Sequence, residues 1–115
     1  MRFILLIYSR ETDWTGLPDG EKRKIAGEYA AYTESIRQSG HYLAGDGLEP
    51  TAAARTIRLR DRKVLSTDGP FAETREQLGG YYLVEAKDLE EASALAARVP
   101  GAATGAIEVR PIMRM

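Results

Sequence analysis

After its second position the chain opens on an unbroken apolar run, in which Phe3, Leu5 and Ile7 point to one side of an extended backbone and Ile4, Leu6 and Tyr8 to the other. A strand covered on one face alternates apolar with polar residues, so Arg2 to Tyr8 reads as a strand that needs cover on both faces. Ser9 to Gly20, with Trp14, Gly16, Pro18 and Gly20, reads as a loop. A helix follows to about Ser39. Its stripe of Ile25, Tyr29, Tyr32 and Ile36 faces a core, while Lys22, Lys24, Glu28, Glu34 and Arg37 fall mostly on the solvated side. Gly40 is placed to end that helix as a left-handed cap.

His41 to Ala44 reads as a second strand, and Gly45-Asp46-Gly47 opens a loop that runs through Pro50. Arg55 to Arg60 and Lys63 to Ser66 form a hairpin closed around Asp61-Arg62, a pair that two-residue turns do not favour. After a loop centred on Asp68-Gly69-Pro70-Phe71, Gly80 to Ala86 supplies another strand. Asp88, with Glu91 three residues on, caps a second helix whose inner stripe is Leu89, Ala92, Leu95, Ala96 and Val99. Pro100-Gly101 ends it, and Ala106 to Ile112 is the last strand.

The order is β-α-β-(hairpin)-β-α-β, an α+β arrangement of ferredoxin-like type with two helices on one face of an antiparallel sheet. The other face is left bare, yet Tyr81 and Leu83 are as apolar as the alternating Tyr82, Val84 and Ala86. The economical cover is the same face of an identical chain, so the sequence predicts a homodimer.

The length of 115 residues fits one domain, 1–115, able to bury a core unaided. With no cysteine, the chain has no disulfide, thiolate nucleophile or cysteine-held cluster, and its single histidine, His41, cannot build a histidine-based metal site. No Asp or Glu spacing resembles a calcium or magnesium loop, so neither metal nor cofactor is expected. Sixteen basic against seventeen acidic residues give a net charge of −1, which offers nothing to a phosphate backbone or an anionic membrane. No segment nears the roughly twenty apolar residues of a membrane span. Cytoplasmic residence is the expectation.

Two carboxylates, an aromatic ring and a turn crowd into Thr67 to Glu76. Asp68 suits a general acid or base if Phe71 desolvates it. Equally, Asp68 can fold back on backbone amides as an Asx turn, with Gly69 and Pro70 setting the bend. His41, the one side chain that titrates near neutrality unaided, sits where it can complement the helix C-terminus. Arg58 and Arg60 share one face of the hairpin, fit either to grip a carboxylate or to charge an edge strand. Tyr81 and Tyr82 are adjacent and point opposite ways, unlike the same-face aromatics of an RNA-recognition strand.

From Asp68 to Tyr82 the run Asp-Gly-Pro-Phe-Ala-Glu-Thr-Arg-Glu-Gln-Leu-Gly-Gly-Tyr-Tyr resembles the YCII-related family in its Asp-Gly-Pro-Phe (DGPF) branch. The resemblance extends over almost the whole chain, through the opening strand, Ala44-Gly45 and the Glu91-Ala92 helix that closes in Ala96-Ala97-Arg98-Val99-Pro100. It implies a dimeric α+β barrel, two ferredoxin-like sheets facing each other around small clefts. The branch consists mostly of uncharacterised bacterial proteins. Some YCII-like relatives resemble dehalogenating or isomerising enzymes with a histidine–aspartate pair, but the corresponding positions here hold Glu28 or Tyr29 and, before Pro100, Val99.

Acid–base work would therefore fall to Asp68 and Glu73 by elimination. Two functional readings follow. The first is a small-ligand-binding or regulatory dimer, with His41, Arg58, Arg60, Phe71 and Tyr81 as ligand contacts. The alternative is an isomerase, lyase or dehalogenase-like enzyme in which Asp68 moves a proton, Glu73 assists and an arginine holds a carboxylate. A small organic acid, lactone or phenol is the expected ligand class.

Overall fold

The computed structural model describes residues 1–115, with the side chain of Asp13 left aside. Its elements are β1 (Arg2–Ser9), α1 (Thr12–Thr15), α2 (Asp19–Gln38), β2 (Tyr42–Gly47), β3 (Arg55–Arg60), β4 (Lys63–Asp68), β5 (Gln77–Glu85), α3 (Leu89–Ala97) and β6 (Ala106–Pro111), with 3-10 turns at Thr51–Ala53 and Pro100–Ala103. One antiparallel sheet has the order β2-β5-β1-β6, and β3 and β4 form a separate hairpin. This is the ferredoxin-like arrangement with a hairpin inserted before its third sheet strand.

The periodicities explain the layers. Phe3, Leu5 and Ile7 of β1 and Tyr82 and Val84 of β5 alternate onto one face, where Tyr32 and Ile36 of α2 and Ala92, Leu95 and Ala96 of α3 close over them. α2 begins after Pro18, carries Asp19 and Glu21 in its first turn and Arg37 in its last, a charge order that suits the helix dipole. Gly40 follows with φ 81, the left-handed stop expected from the sequence. At α3 the Asp88 carboxylate accepts the Glu91 amide at 2.9 Å.

Three tyrosines carry their hydroxyls into this core without leaving them unpaired. Tyr32 donates to the Leu95 carbonyl at 2.8 Å, the Tyr82 and Thr33 hydroxyls meet at 2.7 Å, and the Tyr29 hydroxyl accepts from the Gly101 amide at 3.1 Å. The Tyr32 and Tyr82 rings pack edge to face with centroids 5.2 Å apart. Burial is the main cause that pushes the Tyr32 phenol up to about 12, and it raises Tyr29 and Tyr82 as well. Because the unfolded chain releases these protons first, the folded state binds more of them once the pH passes about 10. Stability is therefore expected to hold below about pH 10 and to fall as the pH rises toward 12, together with a late tyrosinate absorbance step; a stability flat through that window contradicts the burial of these phenols.

The strands extend beyond the sequence reading. Gly45, Asp46 and Gly47, read as a loop, pair with Tyr82, Tyr81 and Gly80 and continue β2. Gly45 is required there, since a Cβ would stand 2.6 Å from the Tyr82 ring. β4 runs on to Asp68 and β5 starts at Gln77, while α3 stops at Ala97 and the loop after β1 holds the single turn α1. The hairpin turn places Asp61 and Arg62 at φ 50 and 64, so this unfavoured pair does adopt two left-handed residues.

Two apolar surfaces remain without cover. Neither long helix packs on the second sheet face, where Ile4 pairs with Leu83 and Leu6 with Tyr81, and Tyr8 follows; all five are half-buried. On the hairpin, Ile57, Leu59 and Val64 share a face and are 58%, 62% and 68% exposed. The hairpin gives the molecule its flat 47 × 44 × 19 Å shape and a radius of gyration of 15.9 Å, against about 13 Å for a compact chain of this length.

Candidate functional site

The residues singled out from the sequence occupy three separate places. On the hairpin, Arg58 and Arg60 do share a face, together with Leu65 and Lys63 across the ladder. The Arg58 guanidinium lies over the Phe71 ring at 5.0 Å, a cation–π contact on a ring that is 75% exposed. Arg60 turns to its own Leu59 carbonyl at 2.9 Å.

Asp68 is on the opposite hairpin face, directly across from Arg55 at 3.6 Å, with its side chain 91% exposed. The Asx turn is not formed, because Asp68 is the last rung of the β3–β4 ladder. The bend behind it is held by the Gly69 amide on the Ala54 carbonyl at 2.8 Å and by the Thr56 hydroxyl on the Gly69 carbonyl at 2.9 Å. Nor does Phe71 desolvate the Asp68 carboxylate. Glu73 is exposed on the following loop.

Tyr81 lies on the uncovered sheet face, where its hydroxyl donates to the Asp46 carboxylate at 2.9 Å. That bond holds the phenol above its ordinary value, with the Asp46 charge adding to the effect. The pair is one polar border of an apolar patch formed by Ile4, Leu6 and Leu83, whose other border is the Glu108–Arg110 pair on β6. Asp46 was hidden in the sequence because Gly-Asp-Gly reads as a loop, and only the strand pairing with β5 brings it beside Tyr81.

His41, expected to open the second strand, immediately precedes β2. Its ring does not cap the α2 carbonyls, a task its backbone amide performs on Ile36 at 2.9 Å. Nδ1 instead meets the Ser39 hydroxyl at 2.7 Å and Nε2 meets Glu91 Oε1 at 3.1 Å. Glu91 Oε1 also accepts from the Lys87 amide at 3.2 Å, so the row joins the end of α2 to the start of α3. It has the composition of a nucleophile–base–acid relay, yet Ser39 is also held to the Ile36 carbonyl at 3.2 Å, and no cleft described below reaches it. The sequence reading used Glu91 only as a helix cap, because its contact with His41 spans fifty residues, and gave Ser39, two residues from His41, no role beyond the helix end.

Two clefts mark the surface, and none of these residues lines either. One of ≈ 280 Å³ lies between Arg10, Glu11, Thr12 and Thr74, Arg75, Gln77. The other, of ≈ 300 Å³, is an apolar groove between α3 and β6 lined by Ala96, Ala97, Ile107 and Val109. Among the described residues no three His, Asp or Glu side chains converge as metal ligands. No described helix is long and apolar enough to cross a membrane.

The model of the YCII-related domain matches residues 1–115. The chain belongs to the YCII-related family. It is also 33% identical over 114 residues to an uncharacterized protein of Rhizobium meliloti (strain 1021), a match covering 97% of this chain and 92% of that relative. Family membership assigns no reaction to this YCII-related chain. Its candidate surfaces therefore rest on geometry, which gathers a cation and a ring on the hairpin and a phenol–carboxylate pair on the bare sheet face.

Proposed function

We propose that the protein is a homodimer of the DGPF branch of its family that acts in the cytoplasm as a small-ligand-binding or regulatory module. One observation carries this reading, the apolar face of Ile4, Leu6, Tyr8 and Leu83 ending in the Tyr81–Asp46 pair. Exposed faces of this kind mark interaction surfaces. Stacked against its symmetry mate, the face buries its apolar part and encloses the two Tyr81–Asp46 pairs as polar groups in a sheltered interior. Such a pocket suits a phenol, a lactone or a small organic acid. The hairpin supports the same assembly, since a two-stranded ribbon with one apolar face is marginal without cover.

The exposed position of Asp68 beside Arg55 favours binding over acid–base catalysis on the hairpin, because water rather than substrate surrounds the carboxylate. A thermal-shift series with phenol, γ-butyrolactone and benzoate tests the proposal. A binder at a hundred times its dissociation constant should add about 2.7 kcal/mol and raise the melting temperature by about 10 °C. Asp68→Asn should leave the melting temperature within the effect of about 0.5 kcal/mol and the ligand response intact. Silence from all three compounds would remove the enclosed sheet interior as a ligand site; turnover of one of them that Asp68→Asn abolishes would make the protein an enzyme.

A further inference from the structure

The cleft between the end of β1 and the entry to β5 is set apart from the rest of the surface by its lining. All six side chains around its ≈ 280 Å³ are polar, and two of them, Arg10 and Arg75, are guanidinium groups that no described carboxylate meets within ion-pair distance. The one described carboxylate in the lining, Glu11, is bonded to Thr51 rather than to them. Its Oε1 accepts from the Thr51 amide at 2.6 Å and its Oε2 from the Thr51 hydroxyl at 2.8 Å, so both oxygens are engaged. Glu11 thereby ties the end of β1 to the turn that precedes the hairpin. On the opposite wall, Gln77 donates its amide to the Thr74 carbonyl at 2.5 Å and shapes the loop that carries Arg75.

We infer that this cleft is a binding site for a small, polar monocarboxylate. Guanidinium groups offer paired donors that match a carboxylate, and two of them lining one cleft grip it better than one. Two cations against one occupied carboxylate leave a single positive charge among the described lining groups, which a monoanion balances and a phosphate dianion overshoots. The polar walls reject an aromatic or aliphatic body, while the Thr12 hydroxyl and the Gln77 amide suit a ligand with its own hydroxyl. At ≈ 280 Å³ the cleft is close to the lower limit of about 300 Å³ for ligand pockets and admits only a small molecule. The site deepens the ligand-binding reading and rests on it for its purpose, but it is built within one protomer and needs no second copy.

The test is an NMR titration of the full chain with sodium lactate, with sodium chloride and inorganic phosphate as comparators. Saturable shifts are expected at the Arg10 and Arg75 Nε–H signals and at the Thr12 and Gln77 amides. Arg10→Gln and Arg75→Gln should each weaken binding by about tenfold or more, and Arg75→Lys, which keeps the charge but loses the paired donors, by less. Both arginines are exposed, so these variants keep the melting temperature of the parent. Shifts that chloride reproduces, that never saturate, or that survive both glutamine variants overturn the site, and tighter binding of phosphate overturns its ligand class. A response to phenol or γ-butyrolactone with none to lactate would sink this site while leaving the ligand-binding module standing.

Discussion

Leu6→Asp is expected to split the proposed dimer into folded monomers. Leu6 lies in the middle of the uncovered sheet face, opposite Tyr81 on one neighbouring strand and Glu108 on the other. Within a protomer it is only half-buried, so an aspartate there reaches water and the helix-covered core does not notice it. Between two stacked sheets the same carboxylate loses its water, and the nearby Arg110 guanidinium on that face is already engaged by Glu108. The cost of burying it, at least about 3 kcal/mol for each copy, corresponds to a weakening of more than a hundredfold in dissociation constant per site. Light scattering should then give 12.7 kDa with unchanged far-ultraviolet circular dichroism. A variant that keeps the parent's mass would place the interface elsewhere, and one that unfolds would show that Leu6 belongs to the protomer's own core.

Gly105→Ala is expected to be the most damaging single methyl in the chain. A Cβ at Gly105 would stand 2.1 Å from the Tyr8 carbonyl oxygen and 3.3 Å from the Gly101 oxygen, both backbone atoms that no rotamer change can move. Relief requires shifting the end of β6 away from β1, where Tyr8 pairs with Ala106, and loosening the Gly105 amide from Gly101. Overpacking of this kind costs about 3 kcal/mol, or roughly 12 °C of melting temperature in a chain of this size. Gly27→Ala is the control of opposite sign. Gly27 lies within α2 with nothing within 4 Å of its virtual Cβ, so alanine should add about 1 kcal/mol through helix propensity. Thermal melts of the two variants should move in opposite directions; a Gly105→Ala melt equal to the parent's would mean that β6 is not held against β1 as described.

The fold was legible where local chemistry and tertiary packing agree. In the middle of β1 and β5, Phe3 to Tyr8 and Tyr81 to Val84, the residues on both faces are apolar or aromatic, and the period of two alone separates Phe3, Leu5 and Ile7 from Ile4 and Leu6. The α2 stripe was equally plain, although only Tyr32 and Ile36 are fully buried, because the sheet underlies the second half of the helix more than the first. What misled was glycine and aspartate in strands. Gly45-Asp46-Gly47 carries every local mark of a turn, and only pairing with residues 80 to 82 and the close passage of the Tyr82 ring make it a strand. Asp68 was misread for the same reason, since its ladder partner Arg55 lies thirteen residues upstream and gives the backbone a better set of bonds than an Asx turn.

The candidate sites were less legible than the fold, because each depends on contacts across long stretches of chain. Arg58 and Arg60 were found by their spacing, a property that a hairpin expresses locally. The Ser39–His41–Glu91 row, the Tyr81–Asp46 pair and the Arg10–Arg75 cleft join residues that no periodicity links. A sequence pattern marks a buried stripe because many residues repeat the message. A site of two or three polar groups gives it only once.

The dimer is the claim on which the proposed function stands, and the mass of the unmodified protein in solution tests it most directly. Multi-angle light scattering through a dilution series in the micromolar range should return about twice 12.7 kDa at every concentration. A constant 12.7 kDa would leave the apolar sheet face without its symmetry mate and contradict the account.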